Sequence, residues 1–273
     1  MRRLLFVLLF SNVALAQSDP VSRSWNQPVE PFRIAGNIHY VGASDIASYL
    51  ITTSAGHILL DGGFVETAPM IVENVRKLGF RIEDVRILIA SHAHYDHVGG
   101  LAELKRLSGA KFYASRRDLP QFARGGTDDP QFGHLYPFPP IYADRILDDG
   151  SKVTLGGTTL VARMTPGHTP GCTTWTMRVR EKGRTLDVIF VGSPSVPSSY
   201  RLKGNPRYPN AIEDYRRQFD VLRSLRPDVF LASHGNFFDL EKKRKGEKSF
   251  IDPDGYVEVM KRFEEGFEKR AGE

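Results

Sequence analysis

Within six positions the chain places His92, His94, Asp96 and His97, directly after the apolar run Ile87 to Ala90. Imidazole and carboxylate suit zinc or another divalent transition metal. In extended backbone, residues two apart point the same way, so His92 and His94 can reach one ion. Asp96 and His97 come after a further change of direction and can serve a neighbouring point. Four protein ligands on one ion make a closed, structural site, whereas a catalytic zinc keeps a position open. The question is whether more ligands arrive from elsewhere.

The chain has eight histidines. His168 sits in the turn TPGHTPG (165–171), which presents its side chain rigidly between glycines and prolines, and His234 closes the apolar stretch DVFLASH (228–234). With these the candidate ligands number six: His92, His94, Asp96, His97, His168 and His234. Six are too many for one tetrahedral ion and the right number for two sites of three. Each metal then keeps a place for water, the requirement of two-metal hydrolysis. A helix starting near Leu101 turns its positive end towards the cluster, an opposition of about 0.3–1 kcal/mol against about 10–16 kcal/mol for a well-formed zinc site. His39, His57 and His134 lack partners in sequence and receive no metal role. Cys172, the only cysteine, reads as a small buried residue and excludes an intramolecular disulfide.

The elements that must position these ligands can be read from periodicity. Short strands with turns occupy about 34–63, and a helix follows from Ala68, Ile71, Val72, Val75 and Leu78, with Pro69 in its first turn and Gly79 at its stop. The strand 85–90 leads into the histidines. Leu101, Leu104 and Leu107 mark a helix ending at Gly109, and KFYAS (111–115) is a further strand. Residues 123–140, rich in Gly, Pro and Asp, form a long loop whose Phe132 and Tyr136 either flank a substrate or pack the loop down. Strands at about 152–164, 173–180 and 185–191 have turns at Gly156-Gly157 and Gly183. Ile212, Tyr215, Phe219 and Leu222 share a helix face before the strand 228–235. Val257, Met260, Phe263 and Phe267 share another on a last helix, 254–268. DVRILIASH (84–92) and DVFLASH (228–234) echo one another, and each ends with a histidine just past a strand.

The bulk numbers narrow the function classes. The 273 residues are 41% hydrophobic and 25% charged, enough for one large core or two small ones, with net charge +5. A mild positive balance suits an anionic small substrate. No dense Lys/Arg run with interleaved aromatics occurs, so nucleic acid is not expected as a partner. EKKRKGEK (241–248) mixes both signs and reads as a solvated face. Arg2 and Arg3, the apolar run Leu4 to Phe10 and the small-x-small Ala14-Leu15-Ala16 form an export signal, cleaved after Ala16. The run is far below the ~20 residues that span a bilayer. The expectation is a signal peptide, 1–16, and a single domain, 17–273, periplasmic or secreted, with no membrane association after cleavage.

The pattern His-x-His-x-Asp-His from His92 to His97, followed by His168 and His234, resembles the metallo-β-lactamase superfamily. The resemblance covers nearly all of 17–273, through PFRIAGNIHYVG, HILLDGG, SHAHYDHVGG, ARGGTDDPQFG, TPGHTPG, GNPRYP, IEDYRRQF and ASHGNFFDL. It implies an α/β fold, an αββα sandwich of two central mixed sheets with helices on the outer faces and the metals at one edge. The stretch VIFVGSPSVPSSYRL (188–202) discriminates further. Most relatives acting on other substrates have Gly-Asp where this chain has Gly192-Ser193, and that aspartate bridges the two metals. Serine there, with a full His-x-His start, resembles subclass B3.

The resemblance implies two Zn2+ per chain, the first held by His92, His94 and His168, the second by Asp96, His97 and His234. It implies hydrolysis of the β-lactam amide of a small-molecule substrate by a hydroxide between the metals, hence β-lactam resistance. Asp96 orients that hydroxide and shuttles a proton, Tyr200 donates to the developing oxyanion, and Ser193 and Ser195 bind the substrate carboxylate. Two departures bear on this. A single cysteine forbids the C-terminal disulfide of several relatives, and SVPSSYRL is one residue longer than in some, which bears on Tyr200. The competing expectations are another metallo-hydrolase on this scaffold (lactonase, thioesterase or phosphodiesterase) and a non-catalytic metal-binding protein.

Overall fold

The computed structural model describes residues 20–273; the proposed export signal, 1–16, lies outside the described residues. A short helix, α1 (Pro20–Trp25), precedes seven strands that lie side by side in chain order. They are β1 (Phe32–Ala35), β2 (Ile38–Tyr40), β3 (Tyr49–Thr53), β4 (Gly56–Leu60), β5 (Val85–Ile89), β6 (Lys111–Ser115) and β7 (Arg145–Leu147). The first four form an antiparallel meander, and β4 to β7 run parallel. Parallel neighbours need crossovers, and helices supply them. These are α2 (Ala68–Lys77) between β4 and β5, then α3 (Tyr95–Val98) and α4 (Leu101–Ser108) between β5 and β6. A five-residue helix, α5 (Leu119–Ala123), follows β6.

The second sheet has the order β12-β11-β10-β9-β8. Strands β8 (Lys152–Leu155), β9 (Thr158–Met164), β10 (Thr173–Glu181) and β11 (Arg184–Val191) are antiparallel; β12 (Val229–Ala232) joins β11 in parallel. The crossover between the last two is α6 (Ala211–Ser224); α7 (Leu240–Arg244) and α8 (Pro253–Gly272) complete the chain.

Strand alternation makes the layers. Tyr49, Ile51, Ile58, Leu60, Ile87 and Ile89 share one buried cluster with Trp175, Met177, Val188 and Phe190 of the second sheet. Their neighbours Leu50, Leu59, Leu88 and Phe112 belong to another, with Ile71 and Val75 of α2 and Leu101 and Leu104 of α4. Outside the second sheet, Tyr215 and Phe219 of α6 pack on Phe267 of α8. The result is the expected αββα sandwich. The last helix starts at Pro253, where Asp252 caps it by accepting from the Gly255 amide, and runs on past 268 to Gly272. Residues 124–140 hold no helix or strand beyond an Asp129–Gly133 bridge. No helix among the described residues is long and apolar enough to cross a membrane.

Candidate metal centre

The echoing strands β5 and β12 lie in different sheets, yet both deliver a histidine to one edge of the sandwich. Past Ile89 the chain bends at Ser91 and again at Ala93, and the rings of His92 and His94 come together with centroids 4.9 Å apart. The turn of α3 then reverses the chain and brings Asp96 and His97 back. Its exit needs glycine: a Cβ on Gly100 would meet the Gly62 carbonyl oxygen at 2.3 Å.

Buried carboxylates fasten this loop. Asp61, in the left-handed region at φ 61°, accepts from the Ser91 amide at 2.7 Å. Asp118 accepts from the Ala93 amide (3.0 Å), the Thr169 hydroxyl (2.7 Å) and the Gly171 amide (2.6 Å). One carboxylate thus clamps the 91–97 loop to the turn that carries His168. The Trp175 indole donates to the Ala90 carbonyl from the facing sheet, at 3.0 Å.

The six expected ligands converge. One ligand atom each of His92, His94 and His168 lie within 4.8 Å of one another, with His94 Nδ1 and His168 Nε2 only 3.1 Å apart. In the second set, His97 Nε2 is 3.3 Å from Asp96 Oδ2 and 3.2 Å from His234 Nε2, and that nitrogen is 3.6 Å from Asp96 Oδ2. Bond lengths of 2.0–2.1 Å around a tetrahedral ion put its ligand atoms about 3.3 Å apart. The second triangle has that edge. His92 lies between the sets, since it also falls within 4.8 Å of Asp96 and His97.

Tautomers follow from the outer partners. The Ser195 carbonyl can only accept, so His168 Nδ1 donates to it at 2.9 Å and leaves Nε2 with a free lone pair. Asp45 receives His234 Nδ1 at 2.8 Å with the same consequence. Asp129 Oδ2 lies 3.4 Å from His94 Nε2 without forming a hydrogen bond, so it leaves the His94 tautomer open. His92 Nε2 is buried with no hydrogen-bond partner, an orphan that a metal would satisfy.

The electrostatics differ between the sets: burial lowers His97, but the charge and hydrogen bond of Asp96, with Asp61 and Asp45 behind, raise it above the ordinary histidine range. Burial, then the neighbouring imidazoles, pushes His92 and His168 well below the ordinary histidine range, so both are neutral, the form a metal needs. Burial pushes Asp96 up, but the charge and hydrogen bond of His97, with His234 and His94 behind, hold it well below the usual carboxylate range. Burial alone wins at Asp61, whose carboxyl is raised to about 6. The residues fit transition-metal binding: His92 with His94 and His168, and His92 with Asp96 and His97, each form a candidate group.

Comparison with known proteins follows the same line. A family model described as the metallo-β-lactamase superfamily matches residues 41–234. The chain belongs to that superfamily.

Among solved structures, the native FEZ-1 metallo-β-lactamase of Legionella gormanii is 40% identical, with a TM-score of 0.87 over 90% of this chain and 97% of that one. BJP-1 of Bradyrhizobium japonicum, titled a subclass B3 metallo-β-lactamase, is 38% identical with a TM-score of 0.85, over 91% of this chain and 96% of that one. Curated relatives are more distant. A probable metallo-hydrolase of Burkholderia pseudomallei is 33% identical over 115 residues, 40% of this chain and 36% of that protein. The N-acyl homoserine lactonase AttM of Azorhizobium caulinodans is 30% identical over 208 residues, 65% of this chain and 75% of the lactonase. The chain therefore spans about a third of the length of the first and three quarters of the second.

Against this superfamily background, the remaining expected residues take these places. The Ser193 side chain is buried, its hydroxyl 3.1 Å from that of Ser195, and Ser195 is partly exposed with its hydroxyl 3.4 Å from His168 Nδ1. Tyr200 is buried beside Tyr215, its hydroxyl without a partner among the described residues. Cys172 is buried, and burial raises its thiol far above the ordinary range. The loop's aromatics pack onto the ligand segment: Phe132 lies 4.9 Å from the His94 ring, and Tyr136 stacks on Tyr95 at 4.4 Å. Asp45, Asp61, Asp118 and Asp129 were not singled out by sequence. The positive φ of Asp61 in DGG and the turn-forming Asp129 in TDDP were signals, but their partners are distant in the chain.

Proposed function

We propose that this chain is a zinc-dependent β-lactamase. The observation that carries the reading is the pair of open three-ligand sets with serine, not a carboxylate, at position 193. It is supported by near full-length similarity to structures titled metallo-β-lactamase. Zinc, when bound, supplies polarisation of a carbonyl and ionisation of water near pH 7. The chain supplies the rest. Asp96, kept ionised, aligns the attacking water through its free lone pairs and passes a proton towards the departing amide nitrogen. Ser195, the exposed member of the serine pair, receives the substrate carboxylate, with Ser193 bracing it from below. The Tyr200 hydroxyl, a donor without an acceptor, is assigned to the developing oxyanion, which it reaches only if the segment around it moves, since it is shut off from solvent. Phe132 gives the substrate an apolar wall beside His94. Two zinc ions per chain are part of the proposal.

A second reading, a lactonase on the same scaffold, draws on the similarity to AttM. Initial rates of the zinc-loaded protein on a chromogenic cephalosporin, an acyl homoserine lactone and a phosphodiester separate the readings. The cephalosporin is expected to be turned over fastest and chelator to abolish the reaction. Faster lactone opening, or cephalosporin turnover that survives chelation, overturns it.

A further inference from the structure

We propose that a groove on the outer face of the second sheet binds an organic anion carried on an apolar body. Helices α6 and α8 pack together, and α8 packs on β12, at one edge of that sheet. Towards β8 the face is open, leaving a groove of about 750 Å3 between the turn after α6 and the β8–β9 hairpin. That size is within the range of about 300–1,000 Å3 for small-molecule sites. The groove shares no residue with the metal centre and does not depend on the β-lactamase reading.

Sheet register puts cations around an apolar strip. Lys152 on β8 pairs with Val161 on β9, and Val161 with Thr176 on β10. Arg163 is two residues beyond Val161 and points to the same face, as Arg178 does beyond Thr176. Ile189 continues the strip on β11, and Arg226 closes it from the turn after α6.

The charges do not balance. Arg178 donates to Asp187 at 2.8 Å, but Lys152 and Arg163 have no side-chain hydrogen bond or ion pair among the described residues. The Arg226 side chain reaches only the carbonyls of Arg223 and Leu225. Arg163 Nε is moreover shut off from solvent with no acceptor. An anion in the groove is met by the outer nitrogens of this half-buried guanidinium. The cations select a carboxylate, sulfonate or phosphate, and the partly exposed Val161 and Leu225 select an attached ring or chain.

The probe is 8-anilinonaphthalene-1-sulfonate, titrated into the zinc-loaded protein. The controls are N-phenyl-1-naphthylamine, which has the rings without the charge, and inorganic sulfate, which has the charge without the rings. Saturable binding of one probe per chain is expected, with both controls at least about tenfold weaker, as two charge-assisted contacts require. The double variant Lys152→Gln/Arg163→Gln, the first exposed and the second half-buried, is expected to weaken the probe by about tenfold or more and to leave the metal content unchanged. Amide shifts of the wild-type protein are expected to move at Val161 and Thr176. Probe binding unchanged in the double variant, no saturable binding, or shifts confined to residues 91–97 overturns the proposal.

Discussion

His168 and His234 both engage Nδ1 and leave Nε2 facing the other candidate ligands, but they are oriented by different means. A backbone carbonyl holds His168, and the Asp45 carboxylate holds His234. Only the second support can be removed by a side-chain substitution. Asp45→Ala leaves all six ligands in place and frees the His234 ring to rotate. Outer partners of this kind contribute about 10–100-fold to metal affinity. The variant is therefore expected to bind its second zinc about 10–100-fold more weakly and its first as before, in titrations against a chromophoric chelator. Asp96→Ala, which removes a ligand outright, is expected to act in the same direction and further. Equal weakening of both steps by Asp45→Ala contradicts the grouping of His234 with Asp96 and His97.

At the scale of elements, the centre depends on two loops being held in register, and Asp118 does this from a buried position. Asp118→Ala strands the Ala93 and Gly171 amides and the Thr169 hydroxyl, all close to the ligands. A buried polar group left unpaired costs about 1–3 kcal/mol. The expected loss is about 3 kcal/mol or more, seen as a lower urea midpoint at unchanged slope; a midpoint within error of wild type refutes the clamp. This is also where sequence reading reached its limit. The six candidate ligands were legible because each sits in a local signal: an apolar strand breaking into alternating histidines, a Pro-Gly turn, and a repeated strand end. Asp118 gives no such signal, since its partners lie 25, 51 and 53 residues away. The layers were legible from alternation in β3 to β6 and from helical spacing in α2, α6 and α8. The five-residue α5 and three-residue β7 are too short to show a period, so they fell outside it.

Across the whole molecule, the sandwich is closed by apolar packing in its middle and by an ionic clip at one edge. Strand β1 is a four-residue edge strand with an irregular register between Arg33 and Ala35, so its pairing with β2 is a weak hold. Glu181, at the end of β10 in the other sheet, accepts from Arg33 Nη1 at 2.7 Å and from the Gly36 amide at 2.7 Å. The Arg33 hydrogen bond, then the Gly36 amide, hold its carboxyl down to about 2 from an ordinary 4.5. A folded value below the unfolded one means that the clip contributes fully above 4.5 and is lost as pH falls through about 2. Glu181→Gln keeps the shape and removes the charge, so the variant has no such loss to suffer. Other carboxylates and the metal ligands protonate alike in both proteins, and the difference between their stability curves isolates this one group. From about pH 5 down to about pH 2.5 the wild-type melting temperature is expected to fall further than that of Glu181→Gln, so that the two curves converge on acidification. Curves that stay parallel through that window would show that β1 is held to the second sheet without the clip.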